Sequence, residues 1–185
     1  MKKLLILLFI SLAFLGSANA NSINGAFGYK LGQVFNGAEL YEDRDGFKNK
    51  SQSVSPVKPM PPFESFAVYT TLKQNKIYEI TAYVWDIKMD NHTSCASNKY
   101  FYKLLDALEN KYGRFADWTR SMNYSTHEFF KQIGDRQILL RCRQISGSFE
   151  DVSPNDGISI YLVYRDNKLF KLLREENNEF SDYDI

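Results

Sequence analysis

The segment THEFFKQIGDRQILLRCRQI, residues 126–145, decides the fold because it contains two alternating strands joined by a turn. Apolar and polar side chains alternate in Thr126–Ile133 and again in Gln137–Ile145, which predicts two β-strands. Gly134-Asp135 between them suits a type II′ hairpin turn, in which glycine takes the first central position. One face of the second strand is expected to point into the core, and it carries Ile138, Leu140 and Cys142.

A second hairpin precedes this segment in the chain. Phe66–Leu72 and Ile77–Trp85 are rich in β-branched and aromatic residues and are separated by a short polar turn. Alternation in the second of these strands predicts an inward face that comprises Tyr78, Ile80, Ala82 and Val84. The other face holds Tyr83 and Trp85, which are candidates for an exposed aromatic binding patch unless a helix covers them.

One main helix and one later strand complete the predicted elements. Apolar residues at helical spacing predict a helix from about Ser97 to Tyr112, with Ser97 as a cap at its start and Gly113 at its end. Gly157–Arg165 alternates and predicts a strand, and Leu169–Arg174 is expected to form a short terminal helix. The face of the main helix that should be buried comprises Phe101, Leu104, Leu105, Leu108 and Tyr112.

These elements predict an α+β fold in which an antiparallel sheet of two hairpins plus a later strand is packed by one main helix. An all-β barrel with one helix is the alternative. Residues 38–62 are polar and contain four prolines, which predicts a surface connection. Residues 21–174 are expected to form the single domain, and the acidic residues 175–185 are expected to be a frayed tail.

Residues 1–20 have the three parts of a secretory signal peptide, which are two lysines, an apolar run from Leu4 to Leu15 and a small-residue ending at Ala20. The apolar run is about a dozen residues long, shorter than the roughly 18 that a membrane span requires. Cleavage is therefore expected after Ala20, without stable membrane insertion of the mature chain. The short lysine start is typical of bacteria, so the expected location is the periplasm or the outside medium, with a eukaryotic secreted origin as the alternative.

Cys95 and Cys142 are the only cysteines, and an even number in an exported chain predicts one disulfide between them. This bond would fasten the entry of the main helix to a strand. The competing interpretation is a nucleophilic cysteine activated by His92 or His127, which requires a reduced thiol in an oxidising compartment. The compartment favours the disulfide.

Loss of Lys2 and Lys3 with the signal peptide changes the count from 23 basic and 22 acidic residues to 21 and 22, a net charge of about −1. Charges of both signs are mixed along the chain, which argues against a nucleic-acid partner. A divalent cation could use Asp86, Asp90 and His92, but their spacing matches no known metal motif, so solvated loop residues are the favoured interpretation. We predict neither a metal site nor a cofactor.

No motif in the sequence identifies a reaction, so the first hypothesis is a non-enzymatic exported binding or accessory protein, such as an inhibitor or immunity protein, with a protein or envelope component as partner. The alternative is a small secreted hydrolase of cell-wall or extracellular polymers that uses acidic residues or a Cys95 and His127 pair. Glu79 and Glu128 lie on predicted strands and are expected to face solvent. A subunit that only completes a larger assembly is a third hypothesis, and the sequence predicts no oligomeric state.

Overall fold

The computed structural model describes six stretches of the chain, which are residues 22–43, 46–57, 61–87, 95–119, 126–145 and 157–181. The signal peptide predicted for residues 1–20 lies outside them, as do Asp90 and His92. Within these stretches the chain forms a β-rich structure with two helices, in broad agreement with the predicted α+β class.

Ten strands are present in the described stretches. In chain order they are β1 (Gly25–Ala26), β2 (Tyr29–Lys30), β3 (Glu39–Glu42), β4 (Lys48–Ser53), β5 (Ser65–Thr70), β6 (Ile77–Ile87), β7 (Ala116–Asp117), β8 (Thr126–Ile133), β9 (Arg136–Ile145) and β10 (Gly157–Asp166). β1 and β2 form a small separate ribbon, and the other eight form one sheet in the order β3-β4-β5-β6-β10-β9-β8-β7. Both predicted hairpins are present, β5 with β6 and β8 with β9.

The eight-stranded sheet is open, with β3 at one edge and β7 at the other. These two strands are not paired with each other, so the alternative of a closed all-β barrel is wrong. β10 pairs antiparallel with β6 on one side and with β9 on the other. The later strand therefore joins the two hairpins into one sheet.

The described helices are α1 (Lys99–Tyr112) and α2 (Asn167–Ser181). α1 buries the predicted face, which comprises Phe101, Leu104, Leu105, Leu108 and Tyr112. Its N-cap is Asn98, whose Oδ1 accepts a hydrogen bond of 2.9 Å from the N–H of Phe101. The predicted cap, Ser97, lies one residue too early, in a short 3₁₀ turn, whereas Gly113 ends the helix with a φ of 80° as expected.

Residues 38–62 contain a hairpin that the sequence does not predict. β3 pairs with β4, and β4 pairs with β5, so this hairpin extends the sheet at its edge. β4 is polar, and β3 is exposed throughout although Leu40 and Tyr41 stand at its centre, so neither strand shows the alternation of a half-buried strand. The prediction of a surface connection is wrong for the two strands, Glu39–Glu42 and Lys48–Ser53, because backbone pairing to an existing edge requires no apolar face.

α1 packs on one face of the sheet and closes the main core. The inward residues of the central strands are buried there, and they include Ile80, Ala82, Val84, Ile138, Leu140, Ile158, Ile160, Leu162 and Tyr164. The predicted disulfide is present between Cys95, just before α1, and Cys142 on β9. Both residues are fully buried, so the bond fastens the start of α1 to the middle of the sheet.

A β-bulge in β6 corrects the predicted inward face of that strand. The register between β5 and β6 shifts, because Tyr69 pairs with Glu79 while Thr70 pairs with Ile77, which leaves Tyr78 as the extra residue. Tyr78 is buried, but in a second cluster with Leu72 and with Leu173 of α2, not in the main core. Alternation alone does not reveal an extra residue, since it assumes an unbroken period of two.

α2 continues to Ser181, past the predicted end at Arg174 and into the acidic segment that was expected to fray. Glu176 in this segment is buried, and its carboxylate accepts hydrogen bonds from the N–H groups of Leu72 (2.7 Å) and Lys73 (3.3 Å). These bonds correct the expected boundary of the tail at residue 175, and residues 182–185 lie outside the described stretches.

Asn177 holds α2 against β4 through two hydrogen bonds to backbone groups, as a neighbouring strand would. Its Oδ1 accepts a hydrogen bond of 2.6 Å from the N–H of Lys48, and its Nδ2 donates one of 2.8 Å to the Lys48 carbonyl. Lys48 lies beyond the last residue of β4 that pairs with β5, so the Asn177 amide satisfies backbone groups that the sheet leaves open.

Removal of the disulfide in a Cys95→Ala, Cys142→Ala double variant is expected to lower the free energy of unfolding by about 4 kcal/mol, because the bond spans a sequence separation of 47 residues. Urea denaturation of the mature protein measures this difference. The wild-type protein under reducing conditions should lose the same amount. An unchanged denaturation midpoint would contradict the structural role of the bond.

Glu176→Ala is expected to lower the free energy of unfolding by about 2 kcal/mol, because the N–H groups of Leu72 and Lys73 lose a charged acceptor. Glu175→Ala is the matched control, since Glu175 is exposed and its removal should cost less than about 0.5 kcal/mol. Thermal unfolding followed by circular dichroism compares the two variants. Equal effects of the two substitutions would show that Glu176 does not hold α2 in place.

Candidate functional site

Among the described residues, the sheet face opposite α1 is covered only in part. α2 packs over one end of its central strands, where Leu169 and Phe170 lie against Tyr69 and Tyr78. The guanidinium of Arg165 on β10 also lies 4.6 Å from the centroid of the Phe170 ring. The other end of this face carries the exposed side chains of the candidate site.

Five residues form a line across the uncovered end, which we call the cross-strand row: Tyr83, Tyr161, Arg141, Glu128 and Trp118. Tyr83 pairs with Tyr161, Tyr161 with Arg141, and Arg141 with Glu128 in the registers of neighbouring strands. Trp118 follows β7 and donates its backbone N–H to the Glu128 carbonyl at 2.8 Å. Directly paired residues share a face, so the row extends over four strand spacings, or roughly 19 Å.

Trp85 joins the row at its β6 end and forms an aromatic cluster with Tyr83 and Tyr161. The Trp85 ring centroid lies 5.9 Å from that of Tyr83 and 5.7 Å from that of Tyr161, edge-on in both cases. The two tyrosine rings stack with centroids 6.2 Å apart. Trp85 is 55% exposed and Tyr83 is half-buried, so the structure places the two predicted patch residues together and adds Tyr161 to them.

A second aromatic pair stands at the other end of the row. Trp118 stacks on Phe130 with ring centroids 4.4 Å apart and 13° between the planes, and Trp118 remains exposed. Phe130 pairs with Leu139 across β8 and β9, and Leu139 pairs with Val163 on β10. These three half-buried apolar side chains fill the strip between the row and the end of the face that α2 covers.

An ion pair occupies the middle of the row. Arg141 Nε lies 2.6 Å from Glu128 Oε1, although the two atoms are not aligned as a hydrogen bond. The side chains of Arg141 and Glu128 are 42% and 23% exposed, so water screens the pair. The row therefore carries no net charge, yet it offers guanidinium donors and carboxylate acceptors to a ligand.

The row has the chemistry of a binding surface. Trp, Tyr and Arg are the residue types that contribute most of the energy of protein interfaces, and here they lie side by side on a rigid sheet. None of the five residues is a serine, cysteine or histidine.

Glu79 and Glu128, which the sequence predicts to face solvent, are each paired with an arginine. Glu79 Oε2 lies 2.6 Å from Arg165 Nε, at the end of the face that α2 covers. Three strand spacings separate Glu79 on β6 from Glu128 on β8, which is roughly 14 Å, whereas the two carboxyls of a glycosidase lie about 5–9.5 Å apart. These two acids therefore do not form a hydrolytic pair.

The sulfur of Cys95 is bonded to Cys142, so the proposed Cys95 and His127 pair has no thiol in this structure. His127 pairs with Cys142 in the sheet register, and its Nδ1 lies 3.4 Å from the Tyr102 hydroxyl. Hydrogen bonds from Thr119 hold the pKa of Asp117 below its usual value, and His127 contributes a smaller electrostatic effect. His127 lies on the α1 side of the sheet, opposite the row.

The described residues contain no group of three or more His, Cys, Asp and Glu side chains that could hold a metal ion. Asp90 and His92 lie outside the described stretches, so the interpretation of Asp86, Asp90 and His92 as solvated loop residues stays a prediction. Neither α1 nor α2 is long and apolar enough to cross a membrane.

Sequence reasoning missed Tyr161, Arg141, Glu128 and Trp118 as members of the site. The Arg141 and Glu128 contact could have been found, because the turn at residues 134–135 fixes the register of that hairpin and places the two residues opposite each other. Tyr161 could not have been identified in this way, because nothing local in the sequence places β10 between the two hairpins.

Comparisons with known proteins do not add to this geometry: the chain matches no family model, no curated protein and no solved structure.

The Arg141 and Glu128 pair is expected to add less than about 1 kcal/mol to stability, because both side chains are partly exposed. A double-mutant cycle with Arg141→Ala, Glu128→Ala and the double variant, measured by urea denaturation, gives their coupling energy. A coupling energy well above that value would show that the pair holds the fold together and is not available to a ligand.

Proposed function

We propose that this chain is an exported, non-enzymatic binding or accessory protein of the periplasm or the extracellular medium, and that it binds a protein partner through the cross-strand row and Trp85. The observation that carries the proposal is the exposed aromatic cluster of Trp85, Tyr83 and Tyr161, which continues through an ion pair to Trp118.

The aromatic side chains at both ends of the row support a protein as the partner. Large rings held by their neighbours bury much apolar area and lose little conformational freedom on binding. Trp85 and Trp118 leave such area in water at both ends of the row, and a covering partner would remove it. A continuous apolar strip beside the row, from Phe130 to Val163, enlarges the same surface.

The ion pair at the centre of the row would make the surface selective among protein partners. A partner that covers Arg141 and Glu128 must offer them matching charges or hydrogen-bonding groups, because burying unmatched charges is costly. Neutral charge over the row also supports a protein or envelope component over a nucleic acid, which requires a basic surface.

The disulfide supports work in an oxidising compartment, and the predicted signal peptide would bring the chain there. Within this class, inhibition of another exported protein, or immunity to it, is the role that a rigid aromatic surface would serve. The hydrolase alternative gains no support from Glu79 and Glu128, which are held by arginines, or from Cys95, which is held in the disulfide.

A photoreactive benzophenone amino acid placed at Trp85 or at Trp118 is expected to crosslink a discrete partner in the cells that export the protein, because both side chains are exposed on the proposed surface. Tyr100 is the matched control, since it is an equally exposed aromatic residue on α1, which packs on the opposite face. Gel electrophoresis and mass spectrometry of the crosslinked product compare the three positions.

With that partner purified, Trp85→Ala is expected to weaken binding roughly 30-fold, about 2 kcal/mol, whereas Tyr100→Ala should leave the Kd unchanged. Equal crosslinking from Tyr100, or an unchanged Kd in both Trp85→Ala and Trp118→Ala, would overturn the assignment of this surface.

A further inference from the structure

In the described part of the chain, the outer strand β3 is paired on one side only. It pairs with β4 on its inner side, and no other described strand pairs with its outer side. All four of its residues are exposed, and its two central side chains are apolar, with Leu40 62% and Tyr41 57% exposed. Such an edge is a ready template for another strand, and the charges that protect edges, Glu39 and Glu42, stand only at its ends.

The hydrogen bonds of the hairpin show which β3 residues direct their backbone outward. The N–H of Asp43 donates to the Phe47 carbonyl at 3.0 Å, so Asp43 points toward β4. The direction of the backbone N–H and C=O groups alternates along a strand. Those of Tyr41 and Glu39 therefore also point toward β4, whereas those of Leu40 and Glu42 point outward.

The register of β4 with β5 supports the same alternation. Val54, directly after β4, donates its N–H to the Phe66 carbonyl of β5 at 2.9 Å. The backbone N–H and C=O groups of the even-numbered residues of β4 therefore point toward β5. Those of the odd-numbered residues of β4 then point toward β3, in agreement with the hairpin.

We propose that β3 pairs antiparallel with β3 of a second copy of this chain, centred on Leu40, so that two eight-stranded sheets form one continuous sheet. In this arrangement Leu40 exchanges two backbone hydrogen bonds with its own counterpart, and Glu42 lies opposite Ala38 of the second copy. The two-fold axis passes through the Leu40 pair, perpendicular to the sheet.

The charges of β3 select this register. Centring the pair on Leu40 places Glu39 opposite Tyr41, so no two acidic residues face each other. Centring it on Tyr41 would place Glu39 opposite Asp43, and centring it between Leu40 and Tyr41 would place Glu39 opposite Glu42, which are repulsive pairs. Of these three registers, only the one centred on Leu40 avoids opposed acidic residues, and the exposed Leu40 becomes covered there.

Dimerisation through β3 does not depend on the proposed function, but it would place two cross-strand rows in one assembly. The axis is perpendicular to the sheet, so both copies present the face with the cross-strand row on the same side. The row lies on β6 to β8, away from the β3 edge, and stays accessible in the dimer. Two rows on one side would allow bivalent binding to a partner that is itself repeated.

The test uses single cysteine variants of the mature protein, Leu40→Cys and Tyr41→Cys, under mild oxidation. Leu40 positions in a hydrogen-bonded pair would have Cα atoms about 5.5 Å apart, within the range of a disulfide. Each Tyr41 would lie one residue from the axis, in opposite directions, so the two positions would be offset by two residues in total, about 8 Å apart and too far to bond. Because Tyr41 is as exposed as Leu40, it controls for random collisions.

We expect the Leu40→Cys variant to run mainly as a covalent dimer on a non-reducing gel and the Tyr41→Cys variant to remain monomeric. Sedimentation of the wild-type chain should give twice the monomer mass, and Leu40→Pro should halve it without changing the circular dichroism spectrum, since the lost N–H points outward. Leu40→Lys, which opposes like charges across the axis, gives the same readout if the proline variant does not fold. A monomeric wild type, or equal crosslinking of the two cysteine variants, would overturn the proposal.

Discussion

The structure depends on the backbone pairing of β10 along both of its sides. β10 is hydrogen-bonded to β6 on one side and to β9 on the other, and an isolated two-stranded hairpin is only marginally stable. The pairing makes one sheet of two hairpins and also decides which side chains meet. Its inward residues fill the core under α1, while Tyr161 on its other face lies between Tyr83 and Arg141. The core and the candidate site thus lie on opposite faces of the same strand.

α2 follows β10 without a loop, and in the described part of the chain it covers only one end of the outer face. β10 ends at Asp166 and α2 begins at the next residue, so the helix turns back over the strand end. Asp166 Oδ1 accepts a hydrogen bond of 3.1 Å from the N–H of Leu169, which satisfies a free donor in the first turn. α2 then runs toward β4 and β5, where Glu176 and Asn177 fasten it, and not along β10 toward Tyr161.

Local features of the fold were predictable from the sequence, and pairings between distant segments were not. The hairpin turn at Gly134, the buried face of α1 and the Cys95–Cys142 bond follow from spacing and residue type. The bulge at Tyr78 and the hairpin within residues 38–62 leave no periodic signal, because one adds a residue and the other has no apolar face. Trp85 was identified as a site candidate from alternation alone, but its neighbours on β10, β9 and β8 required the sheet order.

On one face of the sheet, β10 aligns the aromatic and charged side chains of β6, β9 and β8. Cross-strand nuclear Overhauser effects in the mature protein would reveal this alignment. Backbone protons of Tyr161 should show contacts to both Tyr83 and Arg141, and those of Arg141 should show contacts to Glu128. Contacts from Tyr161 to a strand on one side only would place β10 at an edge, and neither the single sheet nor the row would then exist.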